Sequence, residues 1–93
     1  MHIGEQIYLE HNIKLPIKGD YGSTIEKCVI ILAEAKYNFI EVQNTYIDCC
    51  WGKGNWKKVK QSLIIRDDKK YDKITIDVSG VPIEYYFDIT ECY

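Results

Sequence analysis

The sequence predicts a single α+β domain over residues 1–93, in which one main helix packs on an antiparallel sheet. Three observations predict this class. Apolar residues recur at helical spacing between residues 34 and 51. The period then changes to two from residue 56 onward, and turn residues divide that second region into three strands. A chain of 93 residues is long enough for one domain with a modest core.

The first third of the chain carries weaker signals. Residues 6–10 and 12–17 have the composition of short extended segments, and Pro16 would keep the second one at a sheet edge. Residues 23–26 fit a capping box with Ser23 as N-cap, which predicts a helical turn. The β-branched residues of 27–32 predict a buried strand. The pattern leaves open whether residues 6–17 join the sheet or cover the main helix.

The main helix is predicted over residues 34–51. Its apolar residues are spaced four, three, four and three positions apart, which places them along one seam of an α-helix. Gly52 follows and suits the left-handed position that ends many helices. The seam residues are Ala35, Phe39, Val42, Tyr46 and Cys49.

A second apolar stripe of this helix consists of Tyr37, Ile40, Ile47 and Trp51. A helix that packs on one sheet needs only one apolar stripe, so something must cover the second. The N-terminal segment and a partner chain are the two candidates, and contiguous exposed apolar surface usually marks an interface. These four residues are therefore a predicted interface.

The third face of the same helix carries three acidic residues that are seven positions apart. They are Glu34, Glu41 and Asp48, and none has a lysine or arginine four residues later to neutralise it. The stripe is either a solvated face or an acidic docking surface for a basic partner.

A three-strand antiparallel meander is predicted over residues 56–66, 71–78 and 81–89. Residues 67–70 form the first turn, and Ser79 with Gly80 form the second. Alternation assigns one face of each strand to the core. The predicted inward residues are Val59, Gln61, Leu63 and Ile65, then Ile74, Ile76 and Val78, and finally Ile83, Tyr85, Phe87 and Ile89.

Charge is unevenly distributed although the net charge is only −2. A basic run and an acidic run, which we expect to pair as neighbouring strands, occupy the second half of the chain. A nucleic-acid patch is the other interpretation of the basic run, but the sequence pI near 5.6 opposes it. For that reason we expect no nucleic-acid partner. We also expect no membrane partner, because the longest apolar run is far too short to span a bilayer. The basic run is Lys53, Lys57, Lys58, Lys60 and Arg66, and the acidic run is Asp77, Glu84, Asp88 and Glu91.

No catalytic, cofactor-binding or metal-binding motif is visible. The cysteines, Cys28, Cys49, Cys50 and Cys92, show no metal-ligand spacing with each other or with His2 and His11. We expect the cysteines to be reduced, small, buried side chains of a cytoplasmic protein. The glycines form no phosphate-binding loop, and the first residues do not have the pattern of a secretory signal.

Four short stretches resemble a pattern found in small uncharacterised bacterial proteins of the accessory or immunity type. They lie at residues 22–26, 61–63, 71–72 and 86–89. The resemblance implies a bacterial, cytosolic and non-enzymatic protein, and it transfers no site residues.

We therefore expect a non-enzymatic protein-binding module, one form of which is an immunity-like inhibitor of a toxin. Its partner would be another protein or a second copy of the chain. The aromatic richness of the chain and the missing catalytic motifs favour this function. A homodimeric structural protein and a small-ligand-binding domain are the alternatives.

Overall fold

A computed structural model describes residues 3–93 and contains two α-helices and one five-stranded sheet. The sheet order is β1-β2-β5-β4-β3, with antiparallel neighbours throughout except for the parallel pair β2–β5. The α+β class is thereby confirmed, but the sheet is mixed and not antiparallel as predicted, and a second helix accompanies the predicted main helix. In chain order the elements are α1 (Ile3–His11), β1 (Ile17–Gly19), β2 (Val29–Ile31), a 3₁₀ turn (Ala33–Ala35), α2 (Phe39–Trp51), β3 (Lys57–Arg66), β4 (Lys69–Val78), β5 (Val81–Asp88) and a second 3₁₀ turn (Thr90–Cys92).

The N-terminal segment is helical where a strand was predicted. Helix α1 covers residues 6–10, because Ile3 and Ile7 lie one turn apart and both enter the core. The helix ends at His11, and Asn12, which follows it, has a left-handed φ of 56°. Of the second predicted segment, only Ile17 is in a strand, and it pairs with Ile31. The N-terminal segment thus contributes both a helix against the core and an edge strand.

The loop before β2 contains no helical turn, so the predicted capping box is wrong. Gly22 N–H donates to the Lys27 carbonyl at 2.8 Å, and this bond closes residues 23–26 into a loop tip. The hydroxyl that accepts a backbone bond there belongs to Thr24, which receives Lys27 N–H at 3.0 Å. Strand β2 then confirms the buried strand that was predicted within residues 27–32.

Helix α2 is shorter than the predicted helix over residues 34–51. It begins at Phe39, because Ala33–Ala35 forms a separate 3₁₀ turn and Asn38 has a non-helical ψ of 27°. Ala35 is nevertheless fully buried, since the turn carries it into the core from outside the helix. The helix ends before Gly52 as predicted, and Gly52 N–H donates to the Asp48 carbonyl. Gly52 has a positive φ of 93°, but its ψ of 140° is outside the predicted left-handed helical conformation.

The meander of β3, β4 and β5 is confirmed with bounds that differ from the prediction by at most two residues. Both hairpin turns are two residues long. Their central residues, Asp67, Asp68, Ser79 and Gly80, all have positive φ values, as tight hairpins require. The predicted inward faces of β4 and β5 supply the central core residues Ile74, Ile76 and Phe87, and Ile89, which directly follows β5, is also fully buried.

The basic run and the acidic run do not pair as neighbouring strands, so that prediction is wrong except for one residue pair. Strand β4 separates β3 from β5, so only Lys57 and Asp77 of the two runs lie opposite each other in neighbouring strands. Glu84 instead pairs with Lys73 of β4, whose Nζ lies 2.9 Å from its carboxylate. Within residues 3–93, no helix is both long and apolar enough to cross a membrane.

Substitution of Gly19 by alanine is expected to destabilise the β1–β2 end of the sheet. Gly19 has a φ of 93°, and a Cβ atom there would lie 2.8 Å from the backbone oxygen of Cys28. We expect a loss of about 2 kcal/mol in the free energy of unfolding, measured by urea denaturation. Gly80→Ala is the matched control, because its φ is 86° but no atom lies within 4 Å of the added Cβ. Equal losses for the two variants would show that the close approach to Cys28 has no energetic effect.

Candidate functional site

Strand β3 forms one edge of the sheet, and its apolar residues are exposed although sequence alternation assigned them to the core. Leu63 is 50% exposed and Ile65 is 68% exposed. The register places Leu63 opposite the buried Asp72, so it does lie on the core side of the sheet. A helix about 10 Å wide covers about two strands spaced about 4.8 Å apart. The exposure of Leu63 and Ile65 shows that the helical layer leaves this part of β3 uncovered.

The outer edge of β3 adds unpaired backbone to this surface. Within residues 3–93, no strand pairs with β3 on the side away from β4. The ladder with β4 is interrupted between Lys58 and Lys60, where Val59 bulges and is 65% exposed. Val59, Leu63, Ile65 and the outer edge of β3 are called the edge surface below. Proteins usually protect such edges, so a ten-residue exposed strand with apolar side chains is a candidate for strand pairing.

A chain of polar side chains lies beside the edge surface and joins three elements. Gln43 of α2 donates from Nε2 to Asp72 Oδ2 of β4 at 2.8 Å. Gln61 of β3 donates from Nε2 to the same oxygen at 3.0 Å. Lys58 Nζ in turn donates to Gln61 Oε1 at 3.1 Å. Because Asp72 and Gln43 are both buried, these bonds fix α2 against the uncovered end of the sheet.

Two buried acceptors of α2 have no hydrogen-bond partner among the described residues. They are Gln43 Oε1 and Asn44 Oδ1. A buried acceptor without a donor costs about 1–3 kcal/mol. The hydrogen bond from Gln43 to Asp72 therefore offsets only part of the cost of burying the polar side chains of α2.

The basic side chains of β3 give the edge surface a positive charge. The strand contains Lys57, Lys58, Lys60 and Arg66 and no acidic residue. Across the ladder, Lys60 faces Thr75 and Arg66 faces Lys69, so neither has a carboxylate opposite it. In the part of the chain that the structure describes, neither forms an ion pair. The edge surface is thus apolar and basic on a chain of net charge −2.

The predicted apolar interface of the main helix is divided by the structure. Tyr37 is 94% exposed in the turn before α2, and Ile40, the second residue of the helix, is half exposed. Ile47 is fully buried and is a core residue, so it contributes nothing to an exposed surface. Trp51 is partly exposed, and its Nε1 donates to the Tyr85 hydroxyl at 2.8 Å. The four residues do not form one continuous exposed stripe.

The predicted acidic stripe is also divided. Glu34 lies in the 3₁₀ turn and not on the helix that carries Glu41. Glu41 is exposed, whereas Asp48 is half-buried and its Oδ1 accepts a 2.8 Å hydrogen bond from Trp56 Nε1. Asp48 therefore links α2 to the segment before β3, and only Glu34 and Glu41 remain as exposed acids without such a contact.

The cysteines provide no activated nucleophile. All four are free thiols; Cys28 and Cys92 are buried as predicted, whereas the Cys50 residue is exposed. Burial of the sulfur raises the pKa of the Cys50 thiol, although the hydroxyls of Tyr85 and Tyr46 act in the opposite direction. A thiol that is protonated at neutral pH reacts slowly. Burial also raises the pKa values of Tyr46 and Tyr85, so neither hydroxyl is a base at neutral pH.

An open groove of about 860 Å³ between α1, β1 and the first 3₁₀ turn is the strongest support for the ligand-binding alternative. Its walls include Tyr8, Leu15 and Pro16 together with Lys14 and Asn38. The groove is partly open to solvent, so it does not enclose a ligand. Among residues 3–93, no group of three or more His, Cys, Asp or Glu side chains could hold a metal ion; His2 lies outside the described residues.

The edge surface was missed at the sequence level because its alternation is the ordinary signal of an inward face. The signal that could have indicated it is the combination of this alternation with four basic residues and no acidic residue on one strand. Such lysine-rich strands typically lie at sheet edges. Comparisons with protein-family models, with curated proteins and with solved structures found no match to this chain.

Proposed function

We propose that this chain is a non-enzymatic protein-binding module and that the edge surface is where it binds. The observation that carries the proposal is the exposure of Val59, Leu63 and Ile65 on an edge strand with free backbone groups. These side chains are half to two-thirds exposed, so each would gain about 1–2 kcal/mol on complete burial, which supports a stable contact. Sheet edges are recurrent sites of peptide recognition, because an added strand satisfies the free backbone groups.

The polar cluster supports the same proposal. Asp72, Gln43 and Gln61 hold β3 beside α2, so the edge surface is presented by a strand that is anchored on one side. A preorganised strand loses little conformational freedom when it binds. An immunity-like inhibitor in a bacterial cytoplasm is the specific form of this function that the sequence resemblance favours. A homodimer is the alternative to this function, and its partner would be another copy of the chain.

Affinity capture from the source cell tests the proposal with a matched pair of variants. Ile65→Ser changes the edge surface, and Leu9→Ser changes a leucine of α1 that is 67% exposed, compared with 68% for Ile65. We expect one heterologous protein to be recovered with the wild type and with Leu9→Ser, and about tenfold less of it with Ile65→Ser. Both variants are first compared with the wild type by urea denaturation.

Two results of the capture would contradict the proposal. Equal recovery of the same protein with both variants would place the contact elsewhere on the molecule. Recovery of only the chain itself, with a dimer mass in light scattering, would replace the heterologous partner by a second copy.

A further inference from the structure

We infer that the segment recognised at β3 is an acidic extended chain that adds to the sheet as a sixth strand beyond residues 60–66. This inference rests on the proposed function and names the chemistry of the partner. The bulge at Val59 limits regular pairing to the part of β3 that follows it. Seven residues at about 3.3 Å each give a pairing length of about 23 Å.

The outer face of this segment specifies acidic partner residues. Lys60, Ser62, Ile64 and Arg66 lie on the side of the sheet away from the core, as their register with Thr75 and Tyr71 shows. Neither Lys60 nor Arg66 has an acidic residue directly opposite it on β4, so both are open to carboxylates from the other side. Each opposite-charge pair across strands contributes about 0.2–1 kcal/mol.

The inner face of the segment specifies apolar partner residues. Leu63 and Ile65 lie on the core side of the sheet and are at least half exposed. Because side chains alternate along a strand, the partner would place apolar residues opposite Leu63 and Ile65 on the inner face and acidic residues opposite Lys60 and Arg66 on the outer face. A segment in which acidic and apolar residues alternate satisfies both requirements.

A second copy of β3 fits this edge poorly. Antiparallel pairing of two copies centred on Leu63 would set Lys60 of each chain opposite Arg66 of the other. Like charges directly opposite each other are destabilising. The absence of acidic residues along β3 thus disfavours self-pairing and leaves an acidic partner as the complementary one.

The inference is tested by nuclear magnetic resonance titration of the intact, ¹⁵N-labelled protein. The probe is a synthetic capped peptide of about nine residues that alternates glutamate with valine or isoleucine, a length that spans the pairing segment. We expect saturable shifts of backbone amides in residues 60–66. We also expect about fivefold weaker binding to Lys60→Ala/Arg66→Ala than to the control Lys18→Ala/Lys27→Ala, whose substitutions lie on β1 and the following loop.

Control probes separate strand addition from general attraction of opposite charges. The same peptide with lysine in place of glutamate is expected to cause no shifts. Two further acidic peptides carry N-methyl groups on alternate amides, one on the odd-numbered and one on the even-numbered residues. The peptide whose methyl groups lie on the edge that faces β3 is expected to lose binding, because it cannot donate backbone hydrogen bonds there.

Several outcomes would overturn the inference. They are no amide shifts in residues 60–66 at about 5 mM acidic peptide, equal binding of the lysine peptide, full binding by both N-methylated peptides, or the same shifts caused by a single-stranded oligonucleotide. A negative titration together with an Ile65-dependent capture would reject the acidic strand and leave the proposed function in place. A negative titration together with an Ile65-independent capture would reject both.

Discussion

Replacement of Asp72 by alanine is expected to lower the free energy of unfolding by about 3 kcal/mol, because two hydrogen bonds to one buried carboxylate are lost together. Gln43 Nε2 and Gln61 Nε2 both donate to Asp72 Oδ2. In the variant, Nε2 of the fully buried Gln43 no longer has this acceptor, and Gln43 Oε1 already has no donor among the described residues. Urea denaturation followed by circular dichroism measures the change.

The control for this prediction lies on the same strand. Asp77 is half-buried opposite Lys57 and forms no ion pair within residues 3–93, so Asp77→Ala is expected to change stability by less than about 0.5 kcal/mol. A double variant, Gln43→Leu/Asp72→Leu, is expected to lose less than the sum of its single variants, because each single change leaves a partner unpaired. Additive losses would show that Gln43 and Asp72 are not coupled.

Replacement of Phe87 by alanine is expected to have the largest effect of any single change, a loss of about 4 kcal/mol. Phe87 is fully buried in the central strand β5, and its ring meets Tyr46 edge to face with centroids 5.9 Å apart. The substitution removes apolar contacts, leaves a cavity between α2 and the sheet and ends the aromatic contact, which adds about 1 kcal/mol. For a domain of this size, the loss is a large share of the total stability.

Two control variants separate the cavity from the loss of an aromatic ring. Phe87→Leu keeps most of the volume and is expected to lose less than about 2 kcal/mol. Tyr37→Ala removes a ring that is 94% exposed and is expected to change stability by less than about 0.5 kcal/mol. A Phe87→Ala variant as stable as Phe87→Leu would show that the core closes around the missing ring.

The parts of the fold that were predicted correctly are those with a local cause. The hairpin turns depend on a few adjacent residues, and the alternation of β4 and β5 directly reports which side chains are buried. The end of α2 at Gly52 is likewise a local feature. These signals require no knowledge of which element lies against which.

The parts that were missed depend on contacts distant in the chain. Helix α1 is short and only two of its residues are buried, so its identity follows from packing that the sequence does not display. The late start of α2 follows from a 3₁₀ turn that still buries Ala35. The exposure of Leu63 and Ile65 depends on how many strands the helical layer covers. The lysine-rich composition of β3 indicates an edge strand, but it does not indicate how far the helices reach.

The parallel pair β2–β5 determines the order in which the sheet can be completed. Val29, in the first third of the chain, pairs with Phe87 of the last strand, whereas β3 pairs with β4 and β4 pairs with β5. During synthesis, the meander can therefore assemble from local contacts, but β1 and β2 can join it only after β5 has been synthesised. Until then Val29 and Ile31, which are fully buried in the finished molecule, have no sheet partner beyond β1. Pairing of β2 with β5 closes the chain between residues 30 and 87, and it is the step of sheet formation that requires the last strand to have been synthesised.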